Sequence, residues 1–120
     1  MKPYQDARVE GEKLAKQYAE LEQADQVDFY NGLEGYYSVL GHNKKQEAIA
    51  VLIEKNDHKI YVYQLDKGIS QDKAATISRE KGASDIDKIT FGRYQDKPIW
   101  EVKSENHYYL VDFETGAVIQ

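Results

Sequence analysis

Between Val27 and Leu65 the chain alternates apolar and polar residues in four short runs, about Val27 to Tyr30, Tyr36 to Leu40, Glu47 to Lys55 and Lys59 to Leu65. The breaks between them, Asn31-Gly32, Gly41-His42-Asn43 and Asn56-Asp57, are built from residues that tolerate turn dihedrals. A parallel crossover needs a dozen or more residues, so connections this short force consecutive strands to run antiparallel. The region is an antiparallel meander.

A helix precedes it. From Pro3 to about Gln23 the only breaker is Gly11, and Tyr4, Ala7, Gly11, Leu14, Tyr18 and Leu21 recur three or four residues apart, which predicts one apolar stripe. Glu10, Glu12, Lys13, Lys16, Gln17 and Glu20 then turn outward. After the break Asp66-Lys67-Gly68 the order repeats. Ser70 is placed to cap a helix that runs to about Lys81 and stops at Gly82. Strands follow at about Lys88 to Tyr94, Pro98 to Lys103, His107 to Phe113 and Ala117 to Ile119. Phe29 answers Phe91, Tyr37 and Val39 answer Trp100 and Val102, and Val51, Ile53 and Glu54 answer Val111, Phe113 and Glu114, the pattern of a diverged tandem repeat. The expected fold is α+β: two subdomains, each a helix packed on a four-stranded antiparallel meander.

Composition narrows what such a chain does. At 120 residues, with 41% hydrophobic and 31% charged side chains, it can bury a core without metal or disulfide help. It has no cysteine, which excludes disulfides, thiolate zinc sites and a cysteine nucleophile. A formal net charge of −5 argues against binding to phosphate backbones, so nucleic acid is not an expected partner. The longest apolar run, Ala48 to Ile53, is far short of the ~20 residues that cross a bilayer. The opening Met1-Lys2-Pro3-Tyr4-Gln5-Asp6 reads as neither signal peptide nor anchor.

No catalytic constellation emerges. Ser70-Gln71-Asp72-Lys73 has the spacing of the serine-lysine motif of penicillin-interacting enzymes, but the Lys-Thr-Gly strand and Ser-Asp-Asn loop that this chemistry needs are missing. Ser70 reads as a helix cap. His42, His58 and His107 lie in or beside predicted turns, without metal-ligand spacing. Asp85 and Asp87 read as solvated carboxylates, no glycine-rich loop leads into a helix, and Lys44-Lys45 is a hairpin tip too small for a nucleic-acid patch. The expectation is a protein that is not an enzyme and holds no catalytic, cofactor or metal site.

What remains is surface. Ile60 and Val62 share one face of their strand and Tyr61, Tyr63 and Leu65 the other, while Tyr109, Val111 and Phe113 oppose Tyr108, Leu110 and Asp112. Both faces carry apolar groups, so one packs under a helix and the other is expected to be covered by the neighbouring subdomain or a partner. Tyrosine is the compositional outlier, with ten copies against three Phe and one Trp. Aromatic anchors are common hot spots, and Tyr36, Tyr61, Tyr63, Tyr94 and Tyr108 are the expected exposed partner-binding residues.

The second half also carries a recognisable pattern. Ile69-Ser70-Gln71-Asp72-Lys73-Ala74-Ala75, the strand Ile99-Trp100-Glu101-Val102 and the close Tyr109 to Ile119, with Asp112, Thr115 and Gly116 in its terminal hairpin, resemble the PepSY domain. With the first half as a diverged copy, the whole chain resembles the extracytoplasmic part of the TseB-like (YpmB-like) cell wall elongation regulators of Firmicutes. The resemblance implies two cystatin-like units, an N-terminal PepSY-like subdomain over 1–67 and a PepSY domain over 68–120. It also implies membrane anchorage through an N-terminal segment absent from this chain, no cofactor, and regulation of peptidoglycan elongation by binding a penicillin-binding protein. The alternative that it carries is restraint of a secreted or cell-surface peptidase.

Overall fold

The computed structural model describes residues 3–119, with side chains described from Val9 onward. Helix α1 (Pro3–Tyr18) is followed by strands β1 (Leu21–Asn31), β2 (Gly35–Asn43), β3 (Ala48–Glu54) and β4 (Ile60–Gln64). A 3-10 turn at Leu65–Lys67 leads into helix α2 (Gln71–Glu80) and strands β5 (Ile86–Tyr94), β6 (Lys97–Ser104) and β7 (His107–Asp112). The chain separates into two units, Met1–Gln64 and Leu65–Gln120. Both sheets are antiparallel meanders, in the orders β1-β2-β3-β4 and β5-β6-β7. The chain is therefore α+β, with four strands in one sheet and three in the other.

In the first unit α1 lies on the sheet face formed by Leu21, Val27, Tyr37, Val39, Ile49, Val51 and Ile53, with Leu14, Phe29 and Ile60 packed at the margin. The helix presents to that face a ridge of small residues, Gly11, Ala15 and Ala19, spaced four apart. A Cβ on Gly11 would stand 3.0 Å from that of Tyr37, so the missing side chain lets the two backbones approach closely. The predicted stripe thus differs from the buried one. Tyr18 is 61% exposed and Ala15 fully buried, because close approach favours small side chains over large apolar ones. Tyr4 and Ala7 of that stripe lie outside the described side chains.

The helix also ends earlier than its pattern suggests. Glu20 takes a left-handed backbone, φ 57°, and turns the chain so that Leu21 opens a strand rather than closing a helix. The ladder between β1 and β2 then shifts register between Leu21 and Gln23 and between Ala24 and Gln26. Gly41, expected in a turn, lies inside β2 at this irregularity, where any side chain would collide with the Gln23 carbonyl. The turn comes later, organised by Asn43, whose Oδ1 accepts from the backbone N–H of Lys45 (2.9 Å) and of Glu47 (3.0 Å).

In the second unit Ser70 does cap α2, its hydroxyl accepting the Lys73 N–H at 3.1 Å. Ala74, Ala75 and Ser78 form the buried side of the helix. Phe91, Trp100 and Phe113 meet edge to face, with centroids 4.9 to 6.4 Å apart. Trp100 Nε1–H donates to the Ile69 carbonyl at 2.9 Å, so the one polar atom of the indole is satisfied at the helix entrance. The four-stranded expectation fails in this unit. Among the described residues, Ala117 to Ile119 returns along β7 through one bridge, Val111 to Val118, after the Asp112–Gly116 turn.

The internal correspondence shifts too. Phe29 faces Tyr37 and Phe91 faces Trp100, as the sequence suggests, but Tyr37 faces Ile53 while Trp100 faces Val111. Ile53 therefore matches Val111 rather than Phe113. A slip of two residues keeps every side chain on its face, so the alternation alone could not detect it.

Candidate partner-binding surface

Ser70, His42 and Asp87, weighed for chemistry, each have a structural partner. Ser70 Oγ is engaged by the start of α2. His42 Nδ1 stands 2.9 Å from Asp25 Oδ2, tying β2 to the irregular part of β1, where Gln23 Nε2 also donates to Asp25 Oδ1 at 2.8 Å. His58 sits in the β3–β4 turn with a φ of 56°, and His107 opens β7 opposite Ser104. Asp87 accepts the Glu105 N–H at 3.0 Å. Among the described residues no three His, Cys, Asp or Glu side chains converge to hold a metal ion.

The closing turn of the second unit is a self-contained device. Asp112 is buried, and its Oδ1 accepts the N–H groups of Glu114 (2.8 Å) and Thr115 (3.1 Å) while its carbonyl accepts Gly116 N–H at 2.8 Å. Thr115 Oγ1 then takes the Ala117 N–H at 3.1 Å. Acid, threonine and glycine are each used within a few residues, so this motif builds a turn.

The five tyrosines divide. Tyr36, expected at the surface, is 2% exposed. Its ring lies between Tyr30 (6.4 Å) and Tyr61 (6.3 Å), and its hydroxyl donates to Glu34 Oε2 at 3.0 Å. These cross-strand ring contacts enclose it, which the alternation pattern could not reveal. Tyr61 and Tyr63 are half-buried, two residues apart on one face of β4, opposite Leu52 and Ala50. In the second unit Tyr94 faces Lys97 and Tyr108 faces Lys103, at opposite ends of one sheet face. Tyr94 is half-buried and Tyr108 is 55% exposed. The structure thus brings together Tyr36 and Tyr61, leaves Tyr108 as the open aromatic of the five, and adds Val62, 48% exposed on β4, which was placed on a strand face but not among the candidates.

Charge around these residues is perturbed in one direction. Glu54, opposite Tyr36, is held above the usual carboxylate range by burial, then by a hydrogen bond with Asp57 and the charges of Glu34 and Asp57, with Lys59 opposing. Glu101, between Thr90 and Leu110 in the second sheet, is raised by burial against the opposing pull of Lys88. In both carboxylates burial is the leading cause.

Comparison with known proteins places this fold. The family model described as the cell wall elongation regulator TseB-like domain matches residues 10–54. The chain is 35% identical over 113 residues to the probable cell wall elongation regulator TseB of Bacillus subtilis (strain 168), a match spanning 88% of this chain and 70% of that protein. The structure of the YpmB protein from Bacillus subtilis superposes with a TM-score of 0.78 at 32% identity, over all of this chain and 96% of the other. A shared sequence across most of both chains and a shared fold across nearly all of them lead to one conclusion: the chain belongs to the TseB-like family of cell wall elongation regulators.

Proposed function

We propose that the chain is a non-enzymatic interaction module that works outside the cytoplasmic membrane, tethered by an N-terminal anchor, and regulates peptidoglycan elongation by binding a penicillin-binding protein. The observation that carries this reading is the 35% identity to a relative described as a probable cell wall elongation regulator. The use of Ser70 as a helix cap supports it, since the serine of the serine-lysine spacing has structural work. The two units are read as tandem PepSY-like subdomains over 1–67 and 68–120. Tyr61, Tyr63, Tyr94 and Tyr108 stand as contact candidates, and Tyr36 supports them from within.

The test is affinity purification of the membrane-anchored protein from its own cells after crosslinking. Recovery of a penicillin-binding protein, with a change in cell shape on deletion, is the expected result. Recovery of no wall synthase, from cells whose deletion leaves shape and sensitivity to wall antibiotics unchanged, sinks the reading. A second reading rests on the complete Asp112-Thr115-Gly116 turn, the feature shared with PepSY domains, which elsewhere accompany peptidases. It expects stoichiometric inhibition of a native cell-surface peptidase, and a panel left uninhibited removes it.

A further inference from the structure

Strand β4 closes one side of the first unit's sheet. The Glu54 N–H donates to the Lys59 carbonyl at 2.8 Å, which fixes the phase of the β3–β4 ladder. With Leu52 opposite Tyr61 and Ala50 opposite Tyr63, the backbone groups of Lys59, Tyr61 and Tyr63 turn toward β3, and those of Ile60, Val62 and Gln64 turn away from it. Among the described residues no strand pairs with this outer side of β4, and the 3-10 turn at Leu65–Lys67 takes up only the Gln64 carbonyl at its end.

Such a row is a template for another strand, and folded proteins commonly guard it with lysine, proline or a bulge. The other outer strand of this sheet, β1, is broken by two register shifts. By contrast β4 pairs in unbroken register, and Ile60-Tyr61-Val62-Tyr63-Gln64 has no charge and no proline. Val62, in the middle, is 48% exposed.

We propose that this edge receives an extended segment of a partner protein as a fifth strand, a proposal that rests on reading the chain as an interaction module. The charges at its ends define the segment. Lys59 stands at the start of the strand, and Glu47 stands at its end, its carboxylate 3.5 Å from Gln64 Nε2. An antiparallel segment therefore begins with a basic residue beside Glu47, carries β-branched residues past Val62 and ends with an acidic residue beside Lys59. Pairing over so short a strand buries far less than the ~1,200 Å² of a stable interface between folded proteins, which disfavours a second copy of this chain. A flexible segment needs only the backbone ladder and the side chains along it.

The probe is the capped peptide Lys-Val-Thr-Val-Thr-Val-Glu, titrated into isotope-labelled protein and followed by amide shifts and hydrogen exchange. Slowed exchange at Ile60, Val62 and Gln64 is expected. Val62→Pro removes an outward N–H without touching the ladder to β3 and should weaken binding by about tenfold or more. Val62→Lys, which keeps that N–H, supplies a second variant should proline unfold the strand, and it too should weaken binding. Binding insensitive to both variants, protection elsewhere, no binding at millimolar peptide, or Val62-dependent dimerisation in its place overturns the proposal. The two readings fail separately. A penicillin-binding protein complex that survives both variants refutes the edge and leaves the wall function standing, whereas strand addition without any wall synthase does the reverse.

Discussion

Two buried serines show how the same hydroxyl can help or harm. Ser104 is 3% exposed, and its Oγ accepts the Ser84 N–H at 3.1 Å and donates to the Asp85 carbonyl at 2.8 Å, fastening the segment after α2 to the end of β6. Ser78 is fully buried on α2, and its Oγ has no hydrogen-bond partner. Leaving a buried polar group unpaired is unfavourable, and alanine is also the better helix former. Ser78→Ala should therefore raise stability by about 1 kcal/mol, whereas Ser104→Ala should lower it by roughly 1 kcal/mol because two backbone groups lose a partner. Equilibrium urea unfolding of the two variants measures both, and shifts of the same sign in the two would refute the distinction.

At the level of elements, the two helices differ in how much of them could be read from sequence. Ser70 before Gln71-Asp72-Lys73 is a local signal, and the capping bond follows from it. Ser70→Ala should cost about 1 kcal/mol, measurable by thermal unfolding. The seating of α1 is not local. Hydrophobic periodicity weights large side chains and selected Tyr18, yet the packed ridge is Gly11, Ala15 and Ala19, chosen by how near the helix comes to Tyr37. Gly11→Val should force the helix off Tyr37 and cost roughly 1–3 kcal/mol, whereas Tyr18→Ser should be nearly neutral; equal losses would return the stripe to its predicted face. Strand existence and antiparallel order were legible because short connections allow nothing else. The β1 irregularity and the single bridge of Ala117 to Ile119 were not, since both depend on backbone geometry that alternation does not encode. Tyr36 failed as an exposed candidate because its burial comes from the rings of Tyr30 and Tyr61 packed against it, and side-chain packing across strands is not written in the alternation.

At the scale of the whole molecule, Tyr37, Glu54 and Glu101 all hold their protons above the ordinary range, and burial is the leading cause in each. Tyr37 adds the negative charge of Glu10 to that cause. A raised folded-state value means that the folded chain holds its proton when the unfolded chain has released it. Stability contributed by these groups is therefore present below the ordinary value and lost as pH rises, above the usual Glu range for Glu54 and Glu101 and above about 10 for Tyr37. Glu54 and Glu101 should therefore add stability as pH falls from 7 toward the usual Glu range. Glu101 isolates the effect, because its charge is disfavoured by burial even though Lys88 pulls the other way. Glu101→Gln keeps the shape and removes the ionisation, so the variant should be more stable than the parent at pH 7. That advantage should shrink as pH falls and vanish near pH 4, roughly the ordinary Glu value, as the parent takes up its own proton. Calorimetric midpoints of the two proteins across this range decide the matter, and an advantage that does not change with pH would assign it to packing instead of charge.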